Sequence, residues 1–155
     1  MLTGYRSKYK SLLEWNWVPE ELLFVQRTDS KLYIPNILHE IKPDDRILVV
    51  PNQAFVLFKD TDFIHSHSKM QLSIIDEQMN IVDLLKESLD FAFNKLNLNR
   101  IYGYLIEDKH EEQEILQSIG FLNEGSIPTH LYWNHTFHNR MILGLTKRDW
   151  SNNNE

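Results

Sequence analysis

The sequence predicts a mixed α/β fold: a central, mostly antiparallel sheet with one parallel strand pair and helices on both faces. Three observations predict it. A helical stripe of apolar residues runs from Ile81 to Leu96. A strand-like segment precedes it and another follows, and a hairpin-like pair of strands lies on either side of that unit.

Taken in chain order, the first forty residues read as mostly helical, with apolar clusters at Leu12-Leu13-Trp15 and Leu22-Leu23-Phe24. Arg46 to Val50 and Ala54 to Phe58 read as strands joined by Pro51-Asn52-Gln53. Lys69 to Ile75 follows as a strand, with Met70, Leu72 and Ile74 on one side. The stripe Ile81, Leu84, Leu85, Leu89, Ala92, Phe93 and Leu96 has helical spacing. Asn80 is placed to cap this helix, and Asn97 to end it in the left-handed region. Arg100 to Ile106, aromatic and aliphatic, is the next strand. Strand, helix and strand within about 38 residues form a βαβ unit, whose strands are expected to be parallel with a right-handed crossover. A short helix carries Ile115, Leu116 and Ile119 on its apolar face and stops at Gly120, after which Phe121 opens another strand. Leu131 to Trp133 and Met141 to Leu145 form the last hairpin, around a polar tip from Asn134 to Asn139.

The chain has 155 residues and shows no internal repeat, so one domain over 1–150 is expected, with 151–155 as a disordered tail. It has no cysteine, which excludes disulfides, a thiolate nucleophile and a Cys-based metal site. The first residues lack the apolar core of a signal peptide, and no apolar run approaches the roughly 18 residues of a membrane helix. A cytoplasmic protein with no membrane partner is the expectation. A net charge of −6 argues against nucleic acid as a partner, because a polyanion needs a concentrated basic face.

From Ser88 to Asp149 the chain resembles the GNAT superfamily of N-acetyltransferases, most of all the branch that acetylates N-terminal amines of ribosomal proteins. The matching residues are Leu89-Asp90-Phe91-Ala92-Phe93, Leu98-Asn99-Arg100-Ile101, Ser118-Ile119-Gly120-Phe121, Glu124-Gly125, Leu145 and Asp149-Trp150. Gly4-Tyr5-Arg6 and Leu12-Leu13-Glu14-Trp15 resemble that branch's opening strand and helix. The resemblance implies a GNAT fold whose parallel strands splay apart. It also implies acetyl-CoA as co-substrate, with its pantetheine arm on the free edge of the first of those strands. It places cofactor contacts at Ser73, Ile74 and Ile75 on that strand and at Gln78, Met79, Asn80 and Ile81 at the front of the long helix. A helix N-terminus offers unpaired N–H donors and the positive end of a dipole to a diphosphate. The family's glycine-rich loop is replaced here by Asp76-Glu77-Gln78-Met79-Asn80, which contains no glycine. Lys109 stands where the family usually has an asparagine, and a lysine can reach a phosphate.

The implied reaction moves an acetyl group to a primary amine, of a small molecule or a protein N-terminus, by direct attack in a ternary complex. Such a reaction needs a base to neutralise the amine. His67 is the candidate, sharing one face of an extended segment with His65; the same pattern suits surface loop histidines. Gln71 stands near a position where relatives carry Glu, and a glutamine cannot take a proton. Glu14 could also face an amine, from the first helix. Leu116 occupies the position of the usual tyrosine acid, so no general acid is assigned. The histidine clusters His65/His67 and His130/His135/His138 lack metal-site spacing, and no metal is expected. Trp15, Trp17, Tyr132 and Trp133 are candidates to line an acceptor pocket. Hairpin or helix contacts would allow a homodimer. The missing glycines favour a rival reading, in which the fold persists as a binding or regulatory module without turnover. A third reading is a transferase for a different acyl donor.

Overall fold

In chain order the described strands are β1 (Thr3–Gly4), β2 (Leu23–Val25), β3 (Arg46–Val50), β4 (Ala54–Asp62), β5 (His67–Ile74), β6 (Arg100–Ile106), β7 (Leu122–Trp133) and β8 (Thr136–Thr146). The helices are α1 (Lys10–Glu14), α2 (Ile81–Asp90), α3 (His110–Ile119) and α4 (Lys147–Asn153). A computed structural model describes residues 1–14, 20–25 and 37–153. The strands form one sheet in the order β1-β3-β4-β5-β6-β8-β7, with β2 off this path against β5. Among the described strands only the β5–β6 and β2–β5 ladders are parallel; the others are antiparallel. This is the predicted mixed sheet.

Both faces of the central strands are covered, which explains their continuous apolar runs. On β4, Val56 and Phe58 point into a core shared with Leu84, Leu85, Leu89 and Phe93 of the long helix, while Phe55 and Leu57 face a second core with Leu12, Leu13 and Phe24. β7 lies at the sheet edge and is mostly exposed. It carries Pro128 and two register shifts, features that discourage further pairing.

The predicted helix from Ile81 to Leu96 is realised as α2 continued by a single π-helical turn, Phe91–Lys95. The Asn80 side chain accepts from the Asp83 N–H at 3.1 Å, and Asn97 takes φ 57° just past the end. Replacing Asn80 by alanine is expected to cost about 1 kcal/mol, read by urea denaturation. α3 ends at Gly120, whose φ of 123° few other residues adopt.

Three expectations are corrected. Among the described residues of the first forty, only Lys10–Glu14 is α-helical, with short 3-10 turns at Ser7–Tyr9 and Ile37–Glu40. The cluster Leu22-Leu23-Phe24 belongs to an inner strand, because both of its sides are buried and a short unbroken apolar run suits such a strand as well as a helix. The polar tip of the last hairpin shrinks to Asn134-His135, both at positive φ, and β8 takes in Thr136 to Asn139. Two left-handed residues match the twist of paired strands, so no longer loop is needed. α4 takes in Ser151, Asn152 and Asn153, where the sequence predicts a disordered tail. Trp150 anchors it, buried with its ring 6.1 Å from that of Phe93. Residues 154–155 lie outside the described residues, as do Trp15, Trp17 and the Glu14 side chain. Among the described residues no helix is long and apolar enough to cross a membrane.

Candidate functional site

β5 and β6 pair only at their starts, where His67, Ser68 and Lys69 are in register with Arg100, Ile101 and Tyr102. Beyond Tyr102 the strands part, and residues 20–25 enter between them. Leu22 is bonded on both sides: its N–H donates to the Tyr104 carbonyl at 2.6 Å, and its carbonyl accepts from the Leu72 N–H at 3.1 Å. β2 then runs beside β5, with Leu23, Phe24 and Val25 in register with Leu72, Ser73 and Ile74. Buried backbone polar groups must be paired, and an inserted strand pairs both edges of the opening. Leu22 and Leu23 are fully buried. Gly103 makes the close approach possible, since a Cβ there would stand 2.8 Å from the Leu22 Cβ and 2.9 Å from the Met70 carbonyl oxygen.

Two carboxylates clamp the inserted segment. Glu21 is fully buried and accepts from the Ile106 N–H at 2.7 Å and from Arg140 Nε at 3.1 Å. Burial pushes its carboxyl up to about 7, against the pull of Arg140 and Lys109. Glu20 accepts from Lys59 Nζ at 2.6 Å and from Lys69 Nζ at 3.2 Å. Burial works to raise the Glu20 carboxyl too, but hydrogen bonds and charge from the two lysines outweigh it and hold it below the usual carboxylate range. Lys69 also reaches Asp60 at 3.1 Å, and Lys59 reaches Glu40 at 3.3 Å. The ring of Tyr104 packs against His130 at 5.2 Å and beneath Arg140.

The predicted site residues fall around this insertion. His67 sits where β5 and β6 are still paired, its ring 6.1 Å from that of Tyr102, and its Nδ1 is buried without a hydrogen-bond partner among the described residues. Alternation along β5 puts Lys69, Gln71 and Ser73 on the same face as His67. Gln71 Nε2 and Ser73 Oγ are likewise buried and unpartnered. The strand edge expected to be open at Ser73 and Ile74 is paired with β2. The Ile75 N–H donates to the Gln53 carbonyl at 2.8 Å, in the turn between β3 and β4. In the loop ahead of α2, Asp76 takes two of the expected donors: its side chain accepts from Gln78 N–H at 2.9 Å and its carbonyl from Met79 N–H at 3.2 Å. Asn80 caps the helix, and Ile81 begins it. Glu77, Glu111 and Glu112 bring carboxylates, with Val25, Ile81 and Ile115, to the wall of a cavity of about 300 Å³. Lys109 is held 4.5 Å over the Phe24 ring, and burial lowers its pKa despite Glu21, Glu112 and Asp108.

The remaining candidates separate. Leu116 is fully buried in the core. His65 is exposed and bonded to Asp62 at 2.8 Å, His138 bonds the Trp133 carbonyl, and His135 lies in the hairpin turn. Among the described residues no three His, Asp or Glu side chains converge as metal ligands. Trp133 meets Phe24 edge-on at 6.2 Å, whereas Tyr132 points outward against Phe137. The sequence reading missed Glu20, Glu21, Lys59, Lys69 and Arg140. Glu20-Glu21 ahead of an apolar run looks like the acidic first turn of a helix, and an arginine within a strand carries no local sign of burial.

The structure superposes on a mutant form of the spermidine/spermine N-acetyltransferase SpeG from Vibrio cholerae with a TM-score of 0.69, at 21% identity, covering 77% of this chain and 76% of that one. The fold is that of the GNAT N-acetyltransferases. A dodecameric structure of the Vibrio cholerae spermidine N-acetyltransferase also has this GNAT fold, with a TM-score of 0.69 at 21% identity, covering 76% of this chain and 72% of that one. In sequence, "Putative ribosomal N-acetyltransferase YdaF" of Bacillus subtilis is 31% identical over 65 residues, which are 42% of this chain. The match spans 36% of that relative's length. No family model matches the chain. Within the GNAT fold, the parting of β5 and β6 is the opening that the resemblance assigns to acetyl-CoA. With residues 20–25 seated, the groups there do not fit that molecule. The strand edge is paired, two loop donors are satisfied internally, and three carboxylates line the cavity beside the expected diphosphate position. Like charges about 4 Å apart repel by roughly 1 kcal/mol in water and more when partly buried.

Proposed function

We propose that this chain is an N-acetyltransferase that takes its acetyl group from acetyl-CoA and delivers it to a primary amine, and that the donor enters the β5–β6 opening once residues 20–25 have left it. One observation carries the reading: a parallel pair that parts after Lys69 and Tyr102 into an opening the width of one extended chain, with paired backbone edges on both sides. A pantetheine arm is itself an extended chain with amide groups. Backbone groups of Ser73 and Ile74 are the proposed partners for that arm, and the start of α2 with Lys109 for the phosphates. His67, at the narrow end, is the proposed base, and direct attack in a ternary complex is the proposed course because the chain has no cysteine to carry an acyl group. The spermidine acetyltransferases of the same fold support an amine acceptor, and the dodecameric one supports testing for self-association.

The test is isothermal titration with acetyl-CoA, followed by an assay of CoA release with spermidine, a small aliphatic amine and a peptide N-terminus. A dissociation constant between about 1 μM and 1 mM is expected, the usual range for enzyme substrates. The alternative of a binding or regulatory module is favoured by the filled opening and by Glu77, Glu111 and Glu112. It would replace the transferase if millimolar acetyl-CoA gave no heat with the wild type or with a folded Leu22→Asp variant, whose charge is incompatible with a fully buried site.

A further inference from the structure

We propose that residues 20–25 are an autoinhibitory strand: seated, they bar ligands from the β5–β6 opening, and they detach from it locally while the rest of the fold stays intact. The regulatory part of this rests on the function proposed above, because it is the acyl donor that the strand excludes.

The geometry supports each half. The seat is specific. Leu22 and Leu23 are fully buried, Leu22 bridges both sheet edges, and Glu20 and Glu21 are tied to Lys59, Lys69, Arg140 and Ile106. Closed is therefore the resting state. The attachment is also short. Three register positions join the segment to β5 and a single bridge joins it to β6, whereas β6 and β8 share seven register positions, Arg100 to Ile106 against Arg140 to Thr146. Such a segment opens at lower free energy than the strands around it. The sheet order β4-β5-β6-β8 is complete without it, because β5 and β6 are joined directly at their starts.

Glu21 adds a pH dependence. The charged groups facing its carboxylate are Arg140 from β8 and Lys109 from the turn before α3, and Ile106 of β6 supplies a neutral donor. The seated carboxyl takes its proton near pH 7, and a released one near its ordinary value of 4.5. The seated form is thus favoured most at low pH. It loses ground by about tenfold per unit as pH rises from 5 towards 7, and levels off above that. Glu21→Gln should flatten this profile.

The absence of cysteine makes a thiol probe unambiguous. In a Leu23→Cys variant, the thiol is expected to react with DTNB at least tenfold faster than global unfolding, measured by urea kinetics, permits, and faster still with saturating acetyl-CoA. In a Val25→Cys/Ile74→Cys variant, whose positions are directly in register, the oxidised form is expected to give no acetyl-CoA heat and reductant to restore it. Labelling only at the global unfolding rate would make the segment an integral core strand and overturn the proposal. Equal acetyl-CoA affinity in the oxidised and reduced forms would show that the strand does not bar the opening and would also overturn it. Fast labelling with no acetyl-CoA heat in either redox form would uphold a detaching strand and sink the acetyl-CoA reading instead.

Discussion

Arg140→Ala is expected to cost about 1.4 kcal/mol more stability at pH 8 than near pH 5, the most that titration of one carboxyl can add a pH unit above its folded pKa of about 7. The pH dependence comes from Glu21. Its carboxyl is raised to about 7 in the folded protein from an ordinary 4.5. A carboxyl with a raised folded pKa contributes stability that is fully present below the unfolded value and is lost as pH rises through the folded one. Near pH 5 the folded wild type holds Glu21 mostly protonated, so it has little need of the guanidinium. By pH 8 the carboxylate is ionised, fully buried, and dependent on Arg140 Nε at 3.1 Å and the Ile106 N–H at 2.7 Å. Without Arg140 its pKa rises further and the ionised form loses its main counter-charge. The measurement is urea denaturation of wild type and variant at pH 5 and pH 8. A loss that is the same at both values, or below 1 kcal/mol at pH 8, would show that the pair is not what holds residues 20–25 in place.

Gly103→Ala should destabilise the protein by about 1–3 kcal/mol, the cost of forcing an extra carbon into a packed site. The added Cβ would meet Leu22 Cβ and Cδ1, both at 2.8 Å, and the Met70 carbonyl oxygen at 2.9 Å. Carbon atoms in good contact stand about 3.5–4.0 Å apart. Met70 lies in β5 and cannot yield without moving that strand, so the yielding neighbour is Leu22. A double-mutant cycle with Leu22→Gly isolates the clash. The two changes should be less than additive, with a coupling of about 1 kcal/mol. Additivity within about 0.5 kcal/mol would place the strain at the Met70 carbonyl and leave Leu22 out of it.

The parts of the molecule that were readable from sequence are those whose determinants lie close together in the chain. Asn80, the stripe from Ile81 to Leu96 and Asn97 state a start, a face and a stop within one segment. The structure keeps all three and adds only a π-helical turn. Arg100 to Ile106 was equally plain, because five aliphatic and aromatic side chains in seven positions have few other uses. The inserted strand was not readable. Glu20 to Val25 is too short to show a period, and its partners Leu72, Tyr104, Ile106 and Arg140 lie far along the chain. Of the proposed site, the sequence showed that the loop ahead of α2 lacks glycine. It did not show that Asp76 already takes the Gln78 and Met79 N–H groups. The unpartnered polar atoms of Gln71 and Ser73 depend on what stands across from them, which no local pattern states.

The place of residues 20–25 also has a bearing on synthesis. Glu21 and its donor, the Ile106 N–H of β6, are 85 positions apart, and at the usual 5–20 residues per second the ribosome needs roughly 4–17 s to travel from one to the other. Throughout that interval the run Leu22-Leu23-Phe24-Val25, among the most apolar stretches of the chain, has emerged before its slot exists. The nascent polypeptide therefore carries an unpaired apolar segment until β6 is made, and that segment is where a chaperone would be expected to hold it.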